Sequence, residues 1–268
     1  MQFADYLNRV REKNPLVHHI TNYVTVNDCA NACLAIGASP VMADSIDEAA
    51  DMAAISSALV LNIGTLNVNK VESMITAGRS ANAHHIPVVF DPVGCGATPF
   101  RNRMAGEIMD NVSMTVVRGN ISEITSLGGK EAFTKGVDAG QTSNIRDAVP
   151  MAKELAGKWN AVVVISGPTD IITDGRKTIL IHNGSPEMPL ITGSGCMCTT
   201  LIGAFCGANP DHPLESAVAA MASMGLAGER AWKSWGNEGL GHFHMAMIDE
   251  LGKMTGESLD KGARYEED

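Results

Sequence analysis

Short apolar runs alternate along the chain with longer stretches rich in Ala and Met. The runs fall at 58–63, 87–90, 114–117 and 161–165. They are apolar at nearly every position rather than at alternate ones, which suits parallel strands covered on both faces. The stretches between them read as helices, so the pattern predicts a β-α-β succession. Ser45, followed three residues later by Glu48, predicts a helix start with a capping box. Residues 170–173 and 178–181 flank Asp174 and Gly175, which predicts a hairpin whose turn needs positive φ. The fold class is therefore α/β: a mainly parallel central sheet, helices on both faces and an antiparallel edge hairpin. The last third reads as closely packed helices over 196–205, 214–232 and 243–254, ending in a polar, frayed tail at 265–268. No internal repeat, low-complexity run or Pro/Gly/Ser-rich linker interrupts this order, so residues 1–268 read as a single domain.

Composition narrows the function classes. Of the 268 residues, 45% are hydrophobic and 19% charged, the balance of a globular enzyme able to bury a core. The formal net charge of −10 argues against nucleic acid and anionic membranes as partners, because both are bound through clustered Lys and Arg. The first residues carry no basic segment followed by an apolar run, and no apolar stretch approaches membrane-spanning length, so the expected location is cytoplasmic. Six cysteines without a compact disulfide pattern read as reduced thiols. Cys29 and Cys33 lie one helical turn apart and Cys196 and Cys198 form a C-x-C pair, but no second pair has zinc-ligand spacing. His18 and His19 are adjacent in a strand, so they point to opposite faces and cannot share an ion. They read as structural, and His242 and His244 as surface or packing residues.

Ligands of open α/β sheets bind beyond the carboxyl ends of the strands. There the chain turns polar and Gly-rich: Asp91 to Gly96 after one run, Arg118 to Glu123 after the next, Ser166 to Thr169 after a third. Carboxylates, a guanidinium and hydroxyls thus converge on one rim. The segment 192–200 places Gly193, Ser194, Gly195 and Cys196 immediately before an apolar helix. Unpaired amides at a helix start, with the positive end of the dipole, make an anion site. A phosphate in transfer fits it, although such a turn taken alone equally serves close packing.

Residues 15–24, 37–42 and 61–66, together with Asp91 to Gly94, Arg118 to Asn120 and Gly193 to Cys196, occur in order over roughly residues 14–205. This set resembles the hydroxyethylthiazole kinases, ribokinase-like enzymes of thiamine salvage. The resemblance implies that ATP phosphorylates the primary alcohol of 4-methyl-5-(2-hydroxyethyl)thiazole. It further implies that Arg118 and Ser166 contact the nucleotide, that Asp91 and Glu123 hold Mg²⁺ directly or through water, and that the amides of Gly193 through Cys196 form an anion hole. Met42, with Asn22, Val24 and Gly193, would line the thiazole pocket. Sugar kinases of the superfamily often place aspartate where this chain has Cys196, so two roles stand for that residue. It is either a base whose pKa the helix N-terminus lowers, or a group that shapes the pocket. The resemblance also implies a homotrimer, with the Asn22 region reaching toward a neighbour. Alternatives are a related kinase for hydroxymethylpyrimidine or a sugar, a nucleotide-dependent repair enzyme, and a non-catalytic ligand-binding protein.

Overall fold

A computed structural model describes residues 1–129 and 145–268. The apolar runs form the strands β3 (Ala58–Asn62), β4 (Val88–Asp91), β5 (Val116–Asn120) and β6 (Val162–Ser166). Two shorter strands, β1 (Leu16–Ile20) and β2 (Ser39–Val41), precede them, and β7 (Asp170–Thr173), β8 (Thr178–Ile181) and β9 (Tyr265–Glu267) follow. All nine lie in one sheet in the order β2-β1-β3-β4-β5-β6-β7-β8-β9. Neighbours from β2 to β6 are parallel, and from β6 to β9 antiparallel.

The pleat explains why these runs are apolar throughout. Ala58 and Val60 of β3 point into one buried cluster, while Leu59 and Leu61 point into another. The first cluster is closed by α1 (Phe3–Lys13), α2 (Val26–Ile36), α8 (Ser194–Ala208), α9 (Pro213–Trp235), α10 (Leu240–Lys253) and α11 (Gly256–Gly262). The second is closed by α3 (Ala49–Ile55), α4 (Val68–Ala83), α5 (Pro99–Asn111), α6 (Ile121–Leu127) and α7 (Ile145–Trp159). A sheet covered on both faces needs no polar alternation, and the sequence shows none. Helix α8 runs against β1, β3 and β4. A Cβ on its Gly203 would come within 2.5 Å of Val60, so glycine there lets the helix sit directly on the sheet centre.

The hairpin forms as expected, with Gly175 at φ +90° and Asp174 Oδ1 accepting the amides of Arg176 and Lys177. Two local expectations are corrected. The helix near Ser45 begins only at Ala49. Ser45 instead opens a turn, its carbonyl accepting the Glu48 and Ala49 amides, and no capping box forms there. The polar end at 265–268 is not frayed, because Tyr265–Glu267 pairs with β8. This pairing covers an edge of β8 that would otherwise be open, and Lys177 and Lys153 meet Glu267 and Asp268 at 3.1 and 3.0 Å. Among the described residues, no helix is long and apolar enough to cross a membrane.

Both histidines of β1 are buried. His18 Nε2 bonds Ala43 O at 2.6 Å and His19 Nδ1 bonds Val17 O at 3.0 Å, which leaves one ring nitrogen of each without a partner among the described residues. Burial pushes the His19 pKa down to about 4. Its folded value lies below that of the free side chain, roughly 6.5, so its contribution to stability is fully present above that pH and is lost as pH falls toward 4. The displacement corresponds to about 3 kcal/mol. Asp91 and Asp170 are shifted in the opposite sense, so a comparison with a variant isolates the histidine. His19→Gln is expected to be less stable than the native chain at pH 7.5, with a deficit that shrinks by about 3 kcal/mol by pH 4, read from denaturant midpoints. A deficit constant with pH contradicts a neutral, buried His19.

Candidate active site

Because β1 and β3 to β6 run parallel, their carboxyl ends open on the same side. Register makes Asn62 and Asp91 neighbours at the ends of β3 and β4, and Asn120 and Ser166 neighbours at the ends of β5 and β6. Helix α8 starts above this row.

Asp91 is the centre of the site. It is completely buried; its Oδ2 accepts Thr199 Oγ1 at 2.7 Å and Asn62 Nδ2 at 3.0 Å, and Arg118 Nη1 stands 3.7 Å away. Among the described residues, its Oδ1 is buried with no hydrogen-bond partner. Burial, and then the charge of Glu123 working against that of Arg118, lifts the Asp91 pKa to about 6. Arg118 is held from its other side by Ser166, whose Oγ accepts Nη2 at 2.8 Å. The expected nucleotide contacts Arg118 and Ser166 are thus one unit, anchored on the expected metal carboxylate.

Glu123 is fixed twice over. As the third residue of α6 it forms a capping box with Asn120: Glu123 N–H donates to Asn120 Oδ1, and Asn120 N–H donates to Glu123 Oε2, both at 2.9 Å. Its Oε1 accepts the Gly94 amide at 2.8 Å. Asp91 and Glu123 lie near enough to raise the Asp91 pKa. An orphaned carboxylate oxygen beside a second carboxylate fits Mg²⁺, which takes one or two protein oxygens and keeps its remaining ligands for water and phosphate. Among the described residues, no group of three or more His, Cys, Asp or Glu side chains is placed to hold a metal ion.

The turn before α8 has the form the glycines imply. Gly193 lies in the left-handed region at φ +89° and acts as N-cap. The first intrahelical bond runs from Met197 N–H to Gly193 O at 2.8 Å, so the amides of Ser194, Gly195 and Cys196 have no intrahelical partner. A Cβ on Gly195 would lie 2.7 Å from Arg118 Nη1, which puts this turn directly on the guanidinium. Beside them opens a cavity of ≈ 540 Å³, lined by Arg118, Ser166, Asp170, Gly195, Cys198 and Met224 among others. Burial also keeps Asp170 protonated more readily than an exposed carboxylate, with a pKa of about 7, and its Oδ1 accepts the Gly167 amide at 3.0 Å.

Cys196 is half-buried, and its Sγ accepts Asn22 Nδ2 and Asn62 Nδ2, each at 3.3 Å. Burial and then Asp91 push its pKa up, against the pull of hydrogen bonds from Thr25, Asn22 and Asn62. The shift is the reverse of what a helix N-terminus alone implies. These surroundings favour the thiol over the thiolate.

Asn22 is buried and spends its amide on the scaffold, with Nδ2 on Asn62 and Cys196 and Oδ1 on the amide and hydroxyl of Thr25. Thr25 in turn lies under Gly193, 2.9 Å from where a Cβ would stand. Met42 follows β2 and is half-buried, and Val24 is 59% exposed. Among the described residues, no hydrogen bond ties either side chain to the cluster.

Two residues of this cluster, Asn62 and Thr199, lie inside the motifs at 61–66 and 192–200 but are given no role by them. Asn62 is the one polar residue in an apolar strand, and it links Asp91 to Cys196. Thr199 stands one turn into α8 from Gly195, and its hydroxyl also reaches Gly195 O at 3.2 Å. A polar residue closing an apolar run was the available signal for Asn62, whereas the contact of Thr199 spans 108 positions.

The family model for the hydroxyethylthiazole kinase family matches residues 7–257. Hydroxyethylthiazole kinase from Clostridium beijerinckii is 50% identical over 271 aligned positions, covering 100% of this chain and 98% of that protein. Its counterpart from Ruminiclostridium cellulolyticum is 48% identical over 267 positions, covering 99% and 97%. A solved hydroxyethylthiazole kinase from Pyrococcus horikoshii superposes with a TM-score of 0.90 at 36% identity, covering 99% of this chain and 98% of that one. A ribokinase-like protein from Enterococcus faecalis, at 13% identity and a TM-score of 0.64, shares the fold alone.

Proposed function

The chain belongs to the hydroxyethylthiazole kinase family and phosphorylates the hydroxyl of the thiazole alcohol in thiamine salvage, and from that premise we propose how its residues divide the work. Phosphoryl transfer asks little covalent chemistry of a protein. It asks for alignment of the attacking oxygen and for charge aimed at the transferring oxygens.

Arg118 supplies that charge. Its Nη2 and Nη1 are set by Ser166 and Asp91, so its fork is fixed before the nucleotide arrives. The free amides of Ser194, Gly195 and Cys196 receive the terminal phosphate, an anion at the positive end of α8. Asp91 and Glu123 would hold Mg²⁺, Asp91 through its unpartnered Oδ1. When bound, that ion neutralises charge on the phosphate oxygens. Thr199 and Asn62 keep the Asp91 carboxylate turned toward the site.

Cys196 shapes the acceptor side. Its raised pKa leaves a thiol that gives the alcohol a close polarizable neighbour rather than a standing base. Asn22, Val24, Met42 and Gly193 line the thiazole pocket in this reading, with Asn22 acting chiefly through Cys196 and Thr25. Tyr23 and Val24, 75% and 59% exposed beside the buried Asn22, support a homotrimer in which a neighbour covers this side of the pocket. One sheet built from residues 16–267 supports a single domain, and six free thiols support a cytoplasmic location.

One observation carries the assignment of roles: Gly195, in the amide turn, lies against Arg118, and Cys196, the next residue, is joined through Asn62 to Asp91. The test is release of ADP from ATP·Mg²⁺ in a coupled assay, with the thiazole alcohol, hydroxymethylpyrimidine or ribose as acceptor. ADP is expected only with the thiazole alcohol, and only while Mg²⁺ is present. Turnover with another acceptor, or turnover indifferent to Mg²⁺, contradicts the assignment.

A further inference from the structure

Arg101, on α5, has no part in the roles above, yet its guanidinium lies against the loops that carry them. Nη1 donates to Ile63 O and to Val93 O, each at 2.7 Å, and Nη2 donates to Gly64 O at 2.9 Å. Ile63 and Gly64 directly follow Asn62, and Val93 stands two residues beyond Asp91. One half-buried side chain thus ties the loop after β3 to the loop after β4. Among the described residues, Arg101 pairs with no carboxylate, so its charge is satisfied by main-chain carbonyls of these two loops.

The peptide between Val93 and Gly94 shows what the tie does. Its carbonyl is held by Arg101, and its N–H is held by Glu123 Oε1 at 2.8 Å. The same peptide plane is therefore gripped from both ends, by a cation on one side and by a carboxylate of the site on the other. Gly94 is at φ +71°, and a Cβ there would press on the Arg101 side chain at 3.3 Å, so the loop is shaped to the guanidinium. A displaced Val93–Gly94 peptide would move Glu123 relative to Asp91, and a displaced Ile63–Gly64 segment would move Asn62 and with it Cys196.

We propose that Arg101 is a positioning residue that holds the β3 and β4 loops in mutual register, and so fixes the relative placement of Asp91, Glu123 and Cys196. A lysine cannot do this. Its single ammonium has no planar fork with which to reach three carbonyls on two loops. The inference rests on the site roles given above, but part of its test is independent of turnover.

Arg101→Ala and Arg101→Lys are each compared with the native enzyme for kcat, KM, thermal midpoint and amide hydrogen exchange without substrates. Both variants are expected to lose on the order of 10²-fold in kcat, the effect of about 1 Å of misplacement. The KM of the thiazole alcohol is expected to change much less. Amide exchange should rise over 63–66 and 93–96 while the central strands stay protected. Added guanidinium ion should recover part of the kcat of Arg101→Ala, which methylammonium at the same concentration should not. The proposal is overturned by Arg101→Lys with native kcat, or by unchanged exchange in both loops. Exchange rising throughout the sheet, with no recovery by guanidinium, overturns it as well, since Arg101 then serves general stability. Should Arg101→Ala not fold, Arg101→Lys decides by the same two readouts, kcat and loop exchange. Native enzyme that releases no ADP with the thiazole alcohol refutes the site roles instead, and loop exchange still judges Arg101.

Discussion

Gly195→Ala is expected to lower kcat by on the order of 10²-fold while leaving the fold intact. The added methyl group would lie 2.7 Å from Arg118 Nη1 and 3.3 Å from Nη2, distances that cannot persist. Arg118 has little room to yield, because Ser166 holds Nη2 and Asp91 faces Nη1. Either the guanidinium leaves Asp91 and Ser166 or the first turn of α8 moves away from it. Both outcomes separate the fork from the free amides, and misplacement of about 1 Å costs catalysis on the order of 10²-fold. Stability should change little, since alanine favours a helix over glycine by about 1 kcal/mol and offsets part of the strain. Gly241→Ala, in α10 with open space around the new methyl group, serves as the control and should keep native kcat. Steady-state kinetics and denaturant midpoints check both variants. Native kcat in Gly195→Ala would remove the turn from the reaction.

Asp91→Asn is expected to lower kcat by on the order of 10²–10³-fold, the range seen when one electrostatic contact of a transition state is removed. The change is close to isosteric, so it isolates charge. An amide oxygen can still accept from Thr199 and Asn62, but the other position, where Oδ1 now stands unpartnered, becomes an N–H₂ that repels a cation. Arg118 at the same time loses its buried counter-charge. The pH dependence of stability separates the two effects of this variant. The folded pKa of Asp91, about 6, lies above that of a free carboxyl, so the native chain carries a cost of ionisation above pH 6 that is relieved as pH falls toward 4. Asparagine carries no such cost. The stability of Asp91→Asn relative to the native chain should therefore rise from pH 5 to pH 8, measured on both proteins without nucleotide or metal. A relative stability that stays flat over that range means the Asp91 pKa is not raised in the folded chain.

The sheet and the anion turn were legible because each depends on local sequence. A strand buried on both faces must be apolar at successive positions, and the runs at 58–61 and 161–165 are. The turn before α8 must lack side chains where it meets Arg118, and Gly195 stands there. The residues that escaped notice act across the chain. Thr199 meets Asp91 over 108 positions, and Arg101 binds carbonyls of loops that no local pattern connects to it. Strand β9 was misread for the same reason. Residues 265–267 have no apolar signal of their own, and their order comes from the open edge of β8 and from Lys177 and Lys153. At Ser45 a local signal failed in the other direction, because the chain used the serine for a turn four residues ahead of the helix.

The position of the terminal phosphate is the most direct arbiter of these roles. A crystal structure of the enzyme with Mg²⁺, a non-hydrolysable ATP analogue and the thiazole alcohol is expected to show that phosphate on the amides of Gly195 and Cys196, within reach of Arg118. The alcohol oxygen should stand beside Cys196, and the metal beside Asp91. A terminal phosphate bound away from the start of α8, with Arg118 still closed on Asp91 and Ser166, contradicts the account.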